Sequence, residues 1–132
     1  MNKKTILLIE DEMPLQDAAK AKLESSGFQV VTARTAEQAL GYLTDLKKVD
    51  AIWLDHYLLG KETGLDFVAK VKNDKVKKKI PIFVVSNTAS PDKVKSYLAF
   101  GVNKYYAKID YRLEQIIKDI GGLLKKIEGN NE

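Results

Sequence analysis

Five short apolar, β-favouring runs recur along the chain, beginning at Thr5 (TILLI), Phe28 (FQVV), Ala51 (AIWL), Ile82 (IFVV) and Tyr105 (YYA). Their start-to-start spacings are 23, 23, 31 and 23 residues. Each run is much shorter than the interval that follows it, and the intervals carry helical period. Leu15, Ala18, Ala19 and Leu23 share one helical face, as do Ala36, Ala39, Leu40 and Leu43, and then Leu65, Val68 and Val71. Val94, Tyr97 and Leu98 mark a short fourth helix, and the repeat from Leu113 to Ile127 a longer fifth one. Pro14 suits a first helical turn, Thr35 with Gln38 has capping-box spacing, and Ser90-Pro91 reads as a cap and first position. Gly27 and Gly101 stop helices, and Gly121-Gly122 is the weakest point of the last one. Runs that are apolar at consecutive positions need cover on both faces, and parallel strands need helical crossovers. The expected fold is therefore α/β: a doubly wound five-stranded parallel sheet in a flavodoxin-like three-layer sandwich, strand order 2-1-3-4-5.

The 132 residues accommodate one such domain, expected over 1–128 with a short polar tail at 129–132. An apolar fraction of 45% suffices for a core. The absence of cysteine excludes disulfides, thiolate zinc sites, iron-sulfur clusters and cysteine nucleophiles. The apolar stretch between Lys4 and Glu10 is too short for a secretion signal or a membrane span, so a soluble cytoplasmic protein is expected. The net charge of +4 invites a nucleic-acid reading, but six lysines and Asp74 between Lys70 and Lys79 contribute +5, leaving −1 elsewhere. Only Arg34 and Arg112 are arginine, the usual reader of base edges. A solvated lysine patch, with no nucleic-acid and no membrane partner, is the expectation.

In a doubly wound sheet the binding crevice lies at the carboxyl ends of the strands. There the first run ends in Glu10-Asp11-Glu12, the third in Asp55, the fourth in Ser86 and the fifth in Lys108. Carboxylates gathered in one crevice repel unless a cation joins them. An all-oxygen donor set suits Mg²⁺ better than zinc, and Lys108 offers an ammonium for a phosphate sharing that cation. Each residue also has a plainer role: the acidic triplet could favour the following helix start, and Ser86 or Lys108 alone is ordinary. Asp55 is harder to dismiss, because it follows Ala51-Ile52-Trp53-Leu54, where a carboxylate is costly unless partnered. His56, next along the strand, should point away from Asp55 into packing or to the surface. Trp53 and Tyr57 are expected in core and loop packing, and Tyr106 in a structural role.

The stretches TILLIEDE, AIWLDHYLLGKETGLDF, IPIFVVSNTA and AFGVNKYYAK together resemble the receiver domain of two-component response regulators, the CheY-like family, over nearly the whole chain. The resemblance implies a phosphoprotein rather than a true enzyme, with phosphotransfer and slow dephosphorylation catalysed by the domain itself. Asp55 would be the phosphoacceptor, and Glu10, Asp11, Asp55 and the backbone carbonyl of Tyr57 would hold Mg²⁺. Lys108 would pair with the phosphoryl group, and Ser86 and Tyr105 would be the switch residues. Tyr57 and Thr88 stand where fast-resetting receivers carry an acid or amide, which implies a long-lived phosphorylated state. The donor would be a sensor histidine kinase or a histidine phosphotransfer protein, and a downstream protein target would read the face of the fourth helix, fifth strand and fifth helix. With no output domain in these residues, the reading is a stand-alone receiver. Four departures from the family pattern stand out. Ile109 follows Lys108 where proline is usual, which disfavours a cis peptide. Asn103-Lys104 replaces acidic residues common in regulators that dimerise through this face. The loop from His56 to Gly64 is one residue longer than the usual pattern, with Leu59 where proline is common. Asn87 beside Ser86 is bulkier than the usual alanine.

Other functions of the same fold compete. A phosphatase of the haloacid dehalogenase type would want a second aspartate where Tyr57 stands, and a flavodoxin would want a hydroxyl- and glycine-rich loop after the first strand, where the acidic triplet lies. A basic-surface module would act through Lys70 to Lys79, and a phosphorylation-independent interaction module of the same fold remains an alternative.

Overall fold

The computed structural model describes residues 3–130. Five strands, β1 (Thr5–Ile9), β2 (Gln29–Ala33), β3 (Ala51–Leu54), β4 (Ile82–Ser86) and β5 (Lys104–Ala107), alternate with helices α1 (Met13–Ser25), α2 (Ala36–Asp45), α3 (Gly64–Lys72), α4 (Pro91–Ala99) and α5 (Leu113–Asn130). The strands form one all-parallel sheet in the order β2-β1-β3-β4-β5, as the cadence of apolar runs predicts.

Side-chain alternation sorts the strands into two cores. Leu7, Ile9, Ile52, Leu54, Ile82 and Val84 face Ala39, Phe67, Val68, Val71 and Tyr97 of α2, α3 and α4. Ile6, Leu8, Trp53, Phe83, Val85 and Tyr106 face Ala19, Leu23, Ile116, Ile120 and Leu124 of α1 and α5. Nearly every β1, β3 and β4 side chain is fully buried, which is why those runs are apolar at every position.

Local signals set the helix ends. Thr35 Oγ1 accepts from the Gln38 backbone N–H at 3.0 Å, while the Gln38 side chain turns back to the Arg34 N–H at 2.9 Å, one residue earlier than in a standard box. Thr63 and Asp66 form a complete capping box on α3, and Ser90 caps α4. Gly27 and Gly101 adopt φ of 97° and 94°, conformations that end α1 and α4 at little cost only for glycine.

Helix α5 runs unbroken through Gly121-Gly122, expected inside it as its weakest point, with Ile116, Ile117, Ile120 and Leu124 burying on both sides of the pair. The same helix reaches Asn130, so the tail expected from 129 begins as helix, and 131–132 lie outside the described residues. Of the apolar positions that mark α4, Tyr97 alone is buried, and Leu98 is exposed. Among the described residues no helix is long and apolar enough to cross a membrane.

The lysine run ends in a short 3₁₀ turn, Lys77–Lys79, beside a largely exposed Val76. Lys77 reaches Thr44 Oγ1 at 3.3 Å and Asp74 at 3.8 Å, both near the surface. Exposed pairs of this kind contribute little. Converting Lys77, Lys78 and Lys79 to Gln should change stability by less than about 1 kcal/mol in urea denaturation. A larger loss would show that the run is packed.

Candidate functional site

The parallel register assembles the site. Ile9 pairs with Leu54, so Glu10 and Asp55 are the next residues on two neighbouring strands, joined where the Asp55 N–H donates to the Ile9 carbonyl at 3.0 Å. Ser86 pairs with Ala107, and Lys108 follows, its N–H donating to the Ser86 carbonyl at 2.8 Å. Four residues far apart in sequence thus meet at one end of the sheet.

Glu10 and Asp55 are only 3% and 4% exposed. Lys108 Nζ donates to Glu10 Oε1 at 2.7 Å and to Asp55 Oδ2 at 3.3 Å, bridging the two carboxylates. Glu10 Oε2 accepts from the Glu12 N–H at 3.2 Å, whereas Asp55 Oδ1 is buried with no hydrogen-bond partner. Asp11 completes the cluster, with ligand oxygens of Glu10, Asp11 and Asp55 all within 4.8 Å of one another. Its backbone carbonyl accepts from Arg34 Nε and Nη2 at 3.1 and 2.8 Å, fixing the chain just beyond β1. Gln16 braces the same turn by donating to the carbonyls of Glu10 and Ala33 at 3.0 and 3.3 Å.

Burial, reinforced by the charge of Asp55, raises the Glu10 pKa to about 7 despite the Lys108 hydrogen bond. Burial works against the Lys108 ammonium, but the Glu10 hydrogen bond and the charge of Asp55 outweigh it and hold Lys108 above its ordinary value. Glu10 and Lys108 also line a mainly apolar cavity of about 190 Å³ together with Leu8, Ala19, Trp53, Val85 and Ile116. The arrangement can do two things chemically: accept a cation among three carboxylates, and present one carboxylate oxygen as a nucleophile beside an ammonium.

The remaining sequence-predicted residues lie around this cluster. Ser86 is fully buried, its Oγ accepting from the Thr88 N–H at 3.4 Å. Tyr105 is half-buried against the α2–α4 core, and its hydroxyl donates to the Thr88 carbonyl. Residue 88 is therefore a hub, its N–H and carbonyl engaged by the two expected switch side chains and its Oγ1 accepting from Lys93 Nζ at 3.0 Å. Every peptide among the described residues is trans, including that before Ile109, and Lys108 still reaches both carboxylates.

Trp53 is core and Tyr106 structural, the latter donating to Asp119 Oδ2 at 2.7 Å. His56 points away from Asp55, as alternation requires, and its Nδ1 shares a 2.6 Å hydrogen bond with the buried Tyr97 hydroxyl. Burial and then the charge of Lys93 push His56 below its ordinary pKa. Tyr57 packs in the loop edge-on to His56, ring centroids 4.7 Å apart, with 49% of its surface exposed. Lys93 Nζ donates to its hydroxyl at 3.0 Å and lies 4.8 Å from its ring centroid. Lys93 and Arg34 were invisible to sequence reasoning, one a lysine on a polar helix and the other a single arginine after a strand.

Residues 6–120 match the response regulator receiver domain. The chain belongs to that family. A relative of this receiver is the phosphate regulon transcriptional regulatory protein PhoB of Pseudomonas aeruginosa, 30% identical over 105 residues that span 80% of this chain and 45% of that protein. The chain spans about half the length of the PhoB proteins it matches. Among solved structures, a CheY-like receiver domain protein from Methanospirillum hungatei superposes with a TM-score of 0.86 at 22% identity, covering 98% of this chain and 99% of that one. The phosphorylated cyanobacterial phytochrome response regulator RcpA gives a TM-score of 0.78 at 28% identity, covering 92% and 91%. The receiver shares with the family its two-component, phosphorylation-based signalling role.

Gly64 keeps the loop after Asp55 tight. Its N–H donates to the His56 carbonyl at 2.8 Å, and a Cβ there would meet the Tyr97 hydroxyl at 2.6 Å and the Asp55 carbonyl at 2.7 Å. Backbone and a buried ring cannot retreat easily, so Gly64→Ala should cost about 1–3 kcal/mol by chemical denaturation. A neutral substitution would show that the loop can give way.

Proposed function

We propose that this receiver takes a phosphoryl group on Asp55 from the phosphohistidine of a sensor kinase or histidine phosphotransfer protein and signals by protein contact in the cytoplasm. The observation that carries the reading is Asp55 itself: a buried carboxylate at the end of β3 with one oxygen on Lys108, the other unpartnered, and two further carboxylates beside it. An unpartnered buried carboxylate oxygen is costly to the fold, and a nucleophile is what the site gains from it. The phosphorylated RcpA supports the same reading.

The orphaned Oδ1 and the clustered carboxylates fit a hard divalent cation. Glu10, Asp11 and Asp55 would hold Mg²⁺, with the Tyr57 carbonyl as a further oxygen donor. When bound, Mg²⁺ neutralises charge on the transferring phosphoryl group. An Asp55 carboxylate oxygen forms the new bond to phosphorus as the bond to the donor imidazole nitrogen breaks, and the imidazole leaves and takes up a proton. Lys108 exchanges a carboxylate for a phosphoryl oxygen. The Ser86 hydroxyl donates to another, drawing on residue 88 and through its carbonyl on Tyr105. The α4–β5–α5 surface carries the result to the downstream target.

Intact-mass analysis with acetyl phosphate should show one phosphoryl group added to wild type only when Mg²⁺ is present, and none to Asp55→Asn. Equal labelling of the variant would reject Asp55 as the acceptor.

Tyr57 and Thr88 set the lifetime of the phosphorylated state. Neither is an acid or amide that would align a hydrolytic water, and Lys93 ties them together over the site. Tyr57→Asn and Thr88→Glu should each speed loss of phosphoprotein in Mg²⁺ buffer after donor removal. Rapid decay of wild type, or no acceleration in either variant, would contradict this.

A further inference from the structure

Helix α4 is thinly anchored by apolar contact, since Tyr97 is its one buried residue. Two polar ties hold the same side of it. Tyr97 shares the 2.6 Å hydrogen bond with His56 Nδ1, and Lys93 donates to the Tyr57 hydroxyl at 3.0 Å while lying over its ring. Residues 93 and 97 are one helical turn apart and share a face. Residues 56 and 57 are consecutive and immediately follow Asp55. The tight loop held by Gly64 brings the first pair together, since a methyl group there would collide with the Tyr97 hydroxyl.

We infer that His56–Tyr97 and Tyr57–Lys93 form a two-point latch that positions α4 against the segment carrying Asp55, so that the state of Asp55 reaches α4 directly through residues 56 and 57, alongside the path through Ser86 and Tyr105. The buried tie fixes distance, and the exposed tie fixes rotation about it. With so little apolar area holding α4, two polar contacts form a large share of its attachment. In the latch the side chains of all four act as positioning groups, apart from the Tyr57 carbonyl proposed above as a Mg²⁺ donor. The transmission half of the inference rests on Asp55 being the phosphoacceptor; the latch itself does not.

Tyr97→Phe keeps the buried ring and removes the hydroxyl, Lys93→Met keeps the stem and removes the charge, and Lys93→Arg keeps the cation. Hydrogen exchange of the unphosphorylated proteins should show α4 amides exchanging roughly three- to tenfold faster in Tyr97→Phe, as expected for one lost hydrogen bond, and at least as much faster in Lys93→Met, which also gives up the Thr88 hydroxyl contact, with β1, β3 and α5 unchanged. Lys93→Arg should resemble wild type. Wild type and the Tyr97→Phe/Lys93→Met double variant are then treated with acetyl phosphate and Mg²⁺, and labelling is checked by intact mass. With donor kept in excess so that both proteins carry one phosphoryl group whatever its lifetime, most of the wild-type change in α4 exchange should be missing from the double variant. Unchanged α4 exchange in the free double variant would overturn the latch. An equal phosphorylation-induced change in both proteins would overturn the transmission. Should wild type take no phosphoryl group, the phosphoacceptor reading falls, and the free-state comparison still decides the latch.

Discussion

The structure turns on the repulsion among Glu10, Asp11 and Asp55 and its partial relief by Lys108. Like charges about 4 Å apart near a protein surface repel by about 4 kcal/mol, a large fraction of the 5–15 kcal/mol by which a domain of this size is stable. Lys108 bridges two of the three at 2.7 and 3.3 Å. The relief is incomplete: burial still lifts the Glu10 pKa to about 7, and one oxygen of Asp55 has no partner. Such a site is stable enough to fold and unsatisfied enough to fit an added cation.

The parallel sheet makes this arrangement affordable. Each strand end delivers one polar side chain to the crevice while the residues before it bury completely, so cost is confined to the rim and the two cores carry the stability. Alternation then divides labour between the faces. Glu10, Asp55 and Lys108 follow Leu8, Trp53 and Tyr106, which face α1 and α5, whereas Ser86, His56 and Tyr105 follow the alternation of residues facing α2 to α4. Charge chemistry sits on one side of the sheet and mechanical contact with α4 on the other, with residue 88 and the segment after Asp55 linking them.

The contrast between α4 and α5 follows from the same division. Helix α5 buries four apolar residues and runs through two successive glycines without a break. Helix α4 buries one and depends on side-chain hydrogen bonds from neighbouring loops. A helix held mainly by polar ties can shift when those ties change, whereas one held by a packed stripe cannot.

The sequence by itself determined the five strands and the polar residues at their ends, because hydrophobic period and capping chemistry are properties of neighbouring residues, whereas the order 2-1-3-4-5 entered as the common solution for five such units. It also determined that His56 must turn away from Asp55, since alternation is local. It did not reveal what His56 meets, why Tyr57 stands exposed, how Arg34 grips the Asp11 carbonyl, or that Tyr105 is already engaged with residue 88. Those contacts join residues 41, 36, 23 and 17 positions apart. Nor could it show that Leu98 faces outward, for which residues of a short apolar stripe are covered depends on what packs against it. Only the packed structure decided these points, because a hydrogen-bond partner or a covering surface is supplied by chain that folding brings near.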